Sequence, residues 1–279
     1  MAGFLAIGHV ARDEYADGTW RLGGSALYAA AAAARLGCEV TLVTRVGPKE
    51  LADVQRTCRE LGIRLHALPS LTTTTFAFQW DERGRRVLRL RARARGIAAA
   101  DLPPGAGDAA ATLFGSIAHE LASDLFVSGG GVRVLAAQGQ LRSWDADGTI
   151  RPSEWVDAEK HLGALTAAVL SEEDVGWRET TPVAWSKLTA VVLTLADRGA
   201  RLYERGVPGA EVPAFKPAAA VDATGAGDAF ASGLTVALAE GRALPDAMRF
   251  ANAVASFCVE GQGTAALATR DDVERRLRD

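Results

Sequence analysis

A parallel α/β sandwich is the fold class this sequence predicts, and three observations predict it. Short apolar runs rich in β-branched residues alternate with longer, alanine-rich periodic segments. Over the first 69 residues the order is β-α-β-α-β, the rhythm of a parallel sheet with helices on both faces. Hydrophobic residues make up 48% of 279, enough to fill a core of that size.

The elements follow in order. FLAIGHV (4–10) reads as a strand, and SALYAAAAAARLG (25–37) as a helix with Gly37 as its C-terminal stop. CEVTLVTRVG (38–47) reads as a strand. PKELADVQRTCRELG (48–62) reads as a helix with Pro48 in its first turn, and IRLHALP as the next strand. The rhythm breaks at 72–95, where TTTTFAFQW and RRVLRLRARAR flank the polar turn DERG, a hairpin expected to stand apart from the parallel sheet. After about residue 111 it resumes through DLFVSGG, VRVLAAQ, ALTAAVLSEEDV and AVVLTLADRGARLYERG. Two helices, GDAFASGLTVALAEG and ALPDAMRFANAVASFCVEG, close the chain. No connector is long enough to be a domain linker, so 1–279 is expected to be one domain.

The totals exclude several classes. Thirty-one basic and 34 acidic residues give −3, which argues against general nucleic-acid binding. No apolar run reaches the roughly 18 residues that span a bilayer. MAGFLAIGHV has no basic n-region and reads as a first strand rather than a signal peptide. Cys38, Cys58 and Cys258 lack metal or disulfide spacing, so a reducing, cytoplasmic compartment is expected.

The pentapeptide GAGDA occurs at 105–109 and again at 225–229. The first copy follows DLPP and reads as a loop entering a helix. The second, in VDATGAGDAFASGL, has an apolar helix pattern leading out of it. Gly225, Ala226 and Gly227 would lie at a helix N-terminus, where free N–H groups and the dipole favour an anion that small residues let approach. Asp228 then has two readings: a helix cap, or a base that deprotonates a hydroxyl attacking a phosphoryl group.

VDATGAGDAFASGL resembles the C-terminal signature of the ribokinase (PfkB-type) family of small-molecule kinases, and LGGSALYAAAAAARLG (22–37) resembles the same family's first signature. The likeness covers the whole chain. It implies a ribokinase-like three-layer α/β/α sandwich with a small β-sheet lid from roughly 10–22 and 72–96. It implies ATP-dependent phosphorylation of a hydroxyl on a sugar, inositol-like polyol or nucleoside, with Mg²⁺ and, in some members, K⁺. Asp228 matches the family's catalytic base, and Gly225, Ala226 and Gly227 its anion hole. Asp222 and Thr224 match positions that help bind a monovalent cation in some members. Asp13, Gly23 and Gly24 match acceptor positions, and Thr194, Gly199 and Asn252 match nucleotide positions. Tyr28 stands where many sugar kinases of the family have an asparagine that contacts a sugar hydroxyl. The family's Asn-x-x-Glu element, which supports magnesium through water, is Ser171-Glu172-Glu173-Asp174 here, leaving Glu173 and Asp174 for that role. Ala196 replaces the glycine of Thr-Leu-Gly.

These departures leave a second hypothesis, a non-catalytic regulatory protein of the same fold that binds nucleotide or sugar. A dinucleotide oxidoreductase is disfavoured, because no G-x-G-x-x-G follows the first strand. Arg85, Arg89, Arg91, Arg93 and Arg95 share one parity, as a solvated outer face or as a basic wall over the site. Arg142 falls near the sheet's C-terminal edge, where such folds bind ligands, as a salt-bridge partner or a site residue. His9 reads as a core histidine or an acceptor contact. The expected partners are a small-molecule substrate and, through an exposed lid edge, a second copy forming a homodimer.

Overall fold

Residues along each central strand alternate between two cores. In Gly3–Ile7, Phe4 and Ala6 join one buried cluster while Leu5 and Ile7 join the other. Leu113 and Phe114 divide in the same way, as do Val192 and Val191. That two-sided apolar pattern is what a strand covered on both faces requires. The structure, a computed structural model, describes residues 3–80, 86–176 and 178–278.

Nine strands of the described residues form the main sheet, in the order 207–212, 200–204, 190–194, 167–171, 132–136, 111–115, 3–7, 39–46, 64–69. The seven from 190–194 to 64–69 run parallel, and the last two to join, 200–204 and 207–212, pair antiparallel at one edge. One face carries the helices Ser25–Arg35, Ala226–Ala239 and Leu244–Cys258. The other carries short helices and 3₁₀ turns around Phe126, Leu162 and Trp185. This is the expected three-layer α/β/α sandwich. No helix among the described residues is long and apolar enough to cross a membrane.

Alanine content sets the central contact. Ser25–Arg35 buries all six alanines from Ala26 to Ala33 except where Leu27 and Tyr28 intervene, and small side chains let helix 226–239 come close. Ser232 Oγ there donates to the Ala29 carbonyl across the interface at 2.8 Å.

A separate four-stranded sheet joins Trp20–Gly23, Ala11–Glu14, Thr74–Trp80 and Arg86–Ala92 in that order. The hairpin turn DERG and Arg85 lie outside the described residues. Arg91, Arg93 and Arg95 are exposed, while Ala94 is buried. Arg93 is nonetheless tied to the main body, donating to the Ala118 carbonyl at 2.6 Å, and Arg89 pairs with Asp147 at 3.2 Å.

Three local expectations change. The second helix begins at Leu51, because Pro48, Lys49 and Glu50 form a turn in which Glu50 accepts from Arg12 at 3.1 Å and Thr73 Oγ1 at 2.8 Å. DLFVSGG is not a strand: Ser123–Val127 is a 3₁₀ turn. The first GAGDA makes a 3₁₀ turn, Ala106–Asp108, that leads into the strand Ala111–Gly115 rather than a helix.

The first strand ends on a buried polar node. A carbonyl can only accept, so His9 Nε2 donates to Arg95 O (2.8 Å), and Nδ1 accepts from Thr74 Oγ1 (2.7 Å). Burial holds the imidazole below its usual range, and His9 is a satisfied core residue. Glu120, 1% exposed, accepts from the backbone N–H of Ile117 (2.9 Å) and of Ala118 (2.7 Å). Glu120→Ala should leave those buried donors unpaired and cost about 2–4 kcal/mol. Urea unfolding midpoints check this; a midpoint equal to the parent's contradicts it.

Candidate active site

Asp228 enters the site from the first turn of the 14-residue helix Ala226–Ala239, three positions after its cap, Gly225. Gly225 is left-handed, at φ 84° and ψ −3°, and no side chain caps the helix. The Ala226 N–H donates to the Ala223 carbonyl at 3.2 Å, and no side chain takes the other N–H groups of the first turn. The same pentapeptide makes the same opening turn at Gly105, with φ 80° and ψ −2°. What differs is the exit: only the second copy continues into a long helix whose dipole adds to the site.

The Asp228 carboxyl is pushed up to about 6, first by burial. A hydrogen bond from Ser25 and the charge of Arg142 oppose that rise, and the charge of Asp174 adds to it. No reciprocal cap closes this helix start, and Ser25 of a different helix acts on the carboxylate. Ser25 is a site residue that sequence reasoning passed over. Its signal was there: one hydroxyl directly after the Gly-Gly pair, opening a helix otherwise made of alanine and large apolar groups. Arg142, left open between two readings, proves to act on Asp228.

The N-terminal residues converge on the same place. Asp13, in the strand Ala11–Glu14, is buried at 7% exposure, and its carboxylate acts on the Tyr28 phenol, as does that of Asp228. Burial first, and then those charges, hold the phenol well above its usual range, so it stays protonated. The glycine pair is a packing requirement. A Cβ on Gly23 would lie 2.0 Å from Asp13 Oδ2, and one on Gly24, at φ 97°, would lie 2.3 Å from the His9 carbonyl oxygen. Beneath the loop, burial pushes the Cys258 thiol up to about 12.

Asp222 shapes the approach to the turn. Its Oδ1 accepts from the Thr224 N–H at 2.9 Å, an Asx turn, while Oδ2 stands 4.0 Å from Arg21 Nη1 on the small sheet. A monovalent cation there would share the Asp222 carboxylate with both groups.

Thr194, Gly199 and Asn252 form a second group at the antiparallel edge. Asn252 Nδ2 donates to the carbonyls of Val212 (3.0 Å) and Pro213 (3.1 Å). A Cβ on Gly199 would lie 2.1 Å from that same Val212 oxygen. Thr194 Oγ1 donates to Leu170 O, and Thr194 is the register partner of Ser171. Ala196 adopts φ 53°, a left-handed position where glycine carries no Cβ strain. Ser171 and Asp174 cap each other reciprocally, with Ser171 N–H donating to Asp174 Oδ2 at 2.9 Å. Glu173 is exposed. Among the described residues no three His, Cys, Asp or Glu side chains converge as a metal cage.

Known proteins resemble this chain in sequence over part of its length and in fold over all of it. Residues 167–270 match the model of the pfkB family carbohydrate kinases. A segment of 86 residues is 42% identical to Bacillus subtilis ribokinase, covering 30% of this chain and 29% of that one. A segment of 119 residues is 32% identical to the bifunctional protein HldE of Rhodopseudomonas palustris, covering 43% and 24%. The chain thus spans about a quarter of the length of the curated relatives it matches. A pyrophosphate-dependent kinase of the ribokinase family, solved with a pyrophosphate analogue and myo-inositol, superposes with TM-score 0.80 at 20% identity over 99% of this chain and 100% of that one. Arabidopsis thaliana ribokinase, solved with ribose and ATP, gives 0.74 at 20% over 100% and 99%.

The raised Asp228 carboxyl has a consequence for stability. Its folded value lies above the ordinary carboxylate value near 4. The ionised form therefore destabilises the fold above about pH 6, and that penalty fades as pH falls toward 4. Asp228→Asn should melt higher than the parent at pH 7, with the gap closing by pH 4. Thermal melts across pH check it; a variant that melts lower at pH 7 contradicts it.

Proposed function

We propose that the chain is a kinase of the ribokinase-like, pfkB type, whose family model matches residues 167–270, and that it transfers a phosphoryl group to a hydroxyl of a small sugar, polyol or nucleoside. One observation carries the reading. An acceptor-ready carboxylate, Asp228, sits in the first turn of an uncapped helix that begins at a left-handed glycine.

Asp228 takes the proton from the acceptor hydroxyl. With a carboxyl near 6 it is ionised at neutral pH, yet basic enough to accept a proton as the new bond forms. The N–H groups of 225–227 face the charge that develops on the transferring phosphoryl oxygens, and Arg142 adds positive charge nearby. Asp13 and the 23–24 backbone hold acceptor hydroxyls. The small sheet closes over them and excludes water, which otherwise competes for the phosphoryl group. Magnesium supplies charge neutralisation on the donor's phosphates. Asp174 and Glu173 are the residues that would hold the ion beside the donor, since no three His, Cys, Asp or Glu side chains among the described residues form a cage. Asp222 and Thr224 are the positions for K⁺.

Two donors are in view. ATP would lie along Thr194, Gly199 and Asn252. Pyrophosphate is the second, favoured by Ala196, whose methyl group stands where the family's glycine leaves room. The structure superposing at TM-score 0.80 belongs to a pyrophosphate-dependent kinase.

The test is phosphorylated product, followed by ³¹P NMR, from Mg-ATP or Mg-pyrophosphate with myo-inositol, ribose, fructose, nucleosides and sugar phosphates, each with and without K⁺. One donor–acceptor pair should turn over, with kcat/KM falling as pH drops below about 6. No product from any pair, with donor binding intact, would favour a regulatory protein that binds these ligands without chemistry.

A further inference from the structure

Tyr28 is a large side chain that packs on Gly225, the residue that opens the proposed anion hole. It lies in the first turns of helix Ser25–Arg35, is 5% exposed, and belongs to the same buried cluster as Ala229 and Phe230. A Cβ placed on Gly225 would come 2.2 Å from Tyr28 Cδ1 and 2.3 Å from Cε1. The ring edge therefore rests directly on the Gly225 backbone. At φ 84° that residue sets the direction of the N–H groups that follow it. Asp13, Cys258, Asp228 and Tyr15 all act on the phenol.

We propose that Tyr28 is a positioning residue: its ring holds Gly225 in the left-handed turn that aims the 225–227 N–H groups at the transferring phosphoryl group. This differs from an acceptor contact, the role its position suggests by resemblance. A ring this buried presents little surface to an acceptor. The turn is closed by the Ala226 N–H on the Ala223 carbonyl (3.2 Å) and by the Asp222–Thr224 Asx turn, and the Tyr28 ring packs on the glycine between them. The inference rests on the proposed phosphoryl transfer, and it makes a separate claim about the loop. A misaimed donor set costs turnover steeply, on the order of a hundredfold for about 1 Å.

The experiment compares Tyr28→Ala, Tyr28→Leu and Tyr28→Phe with the parent, after thermal melts have shown which variants fold. Pyrophosphate affinity, measured by calorimetry, reads the loop without turnover. Tyr28→Ala and Tyr28→Leu should weaken it about tenfold, the worth of one well-aimed hydrogen bond. They should lower kcat about a hundredfold while acceptor KM stays within about threefold. Tyr28→Phe, which keeps the ring, should recover most of both losses. A second check is a double-mutant cycle: Gly225→Ala should cost less in the Tyr28→Ala background than in the parent, because the ring it strikes is gone. Acceptor KM rising with kcat and pyrophosphate affinity preserved would overturn the proposal and make Tyr28 a substrate contact. Strictly additive effects of Gly225→Ala and Tyr28→Ala would also overturn it. If the parent binds pyrophosphate in a Tyr28-dependent way but transfers nothing, the functional reading fails and the positioning role stands.

Discussion

A carboxylate is stable near the start of a buried helix only if something nearby compensates for its lost water, and here that compensation depends on one turn. Gly225 turns left-handed, a conformation that costs a residue with a Cβ about 1–2 kcal/mol, and the space where a Cβ would go is already filled by Tyr28. Because Gly225 turns there, the helix begins at Ala226 and Asp228 faces Ser25 instead of its own backbone. That geometry puts the carboxyl where burial raises it and where the charge of Arg142 acts on it.

The rest of the molecule holds this turn in place. The helix Ser25–Arg35 must bring Ser25 and Tyr28 close, and its alanines permit an approach that larger residues would block. Its own start depends on Gly24 lying against the His9 carbonyl, and on Gly115, where a Cβ would meet the Ala26 nitrogen at 2.7 Å. His9 and Glu120 tie down the neighbouring segments at Arg95 and Ile117. Packing far from Asp228 thus sets where Asp228 can act.

Much of this was legible in the sequence, because local chemistry decided it. Period-two strands and alanine-rich helices gave the layers. The VDATGAGDAF run placed Asp228 and its glycines at a helix start, and of the two GAGDA copies only the second continues into a long helix. The hidden parts were long-range. Glu50 was predicted inside a helix because Pro48 suits a first turn, but Arg12 and Thr73, distant in sequence, hold it at the cap. Ser25 and Arg142 are ordinary residues until the fold brings them to Asp228. Asn252 was placed at a nucleotide pocket by resemblance, and its amide proves to secure the 212–213 backbone.

The most direct test of the central claim is single-turnover phosphoryl transfer by Asp228→Asn with the working donor–acceptor pair, alongside donor affinity. The account predicts a rate about 10²–10⁴-fold lower, the usual worth of a general base, with donor affinity held or improved because a buried charge is gone. A rate near the parent's would show that Asp228 is not the base.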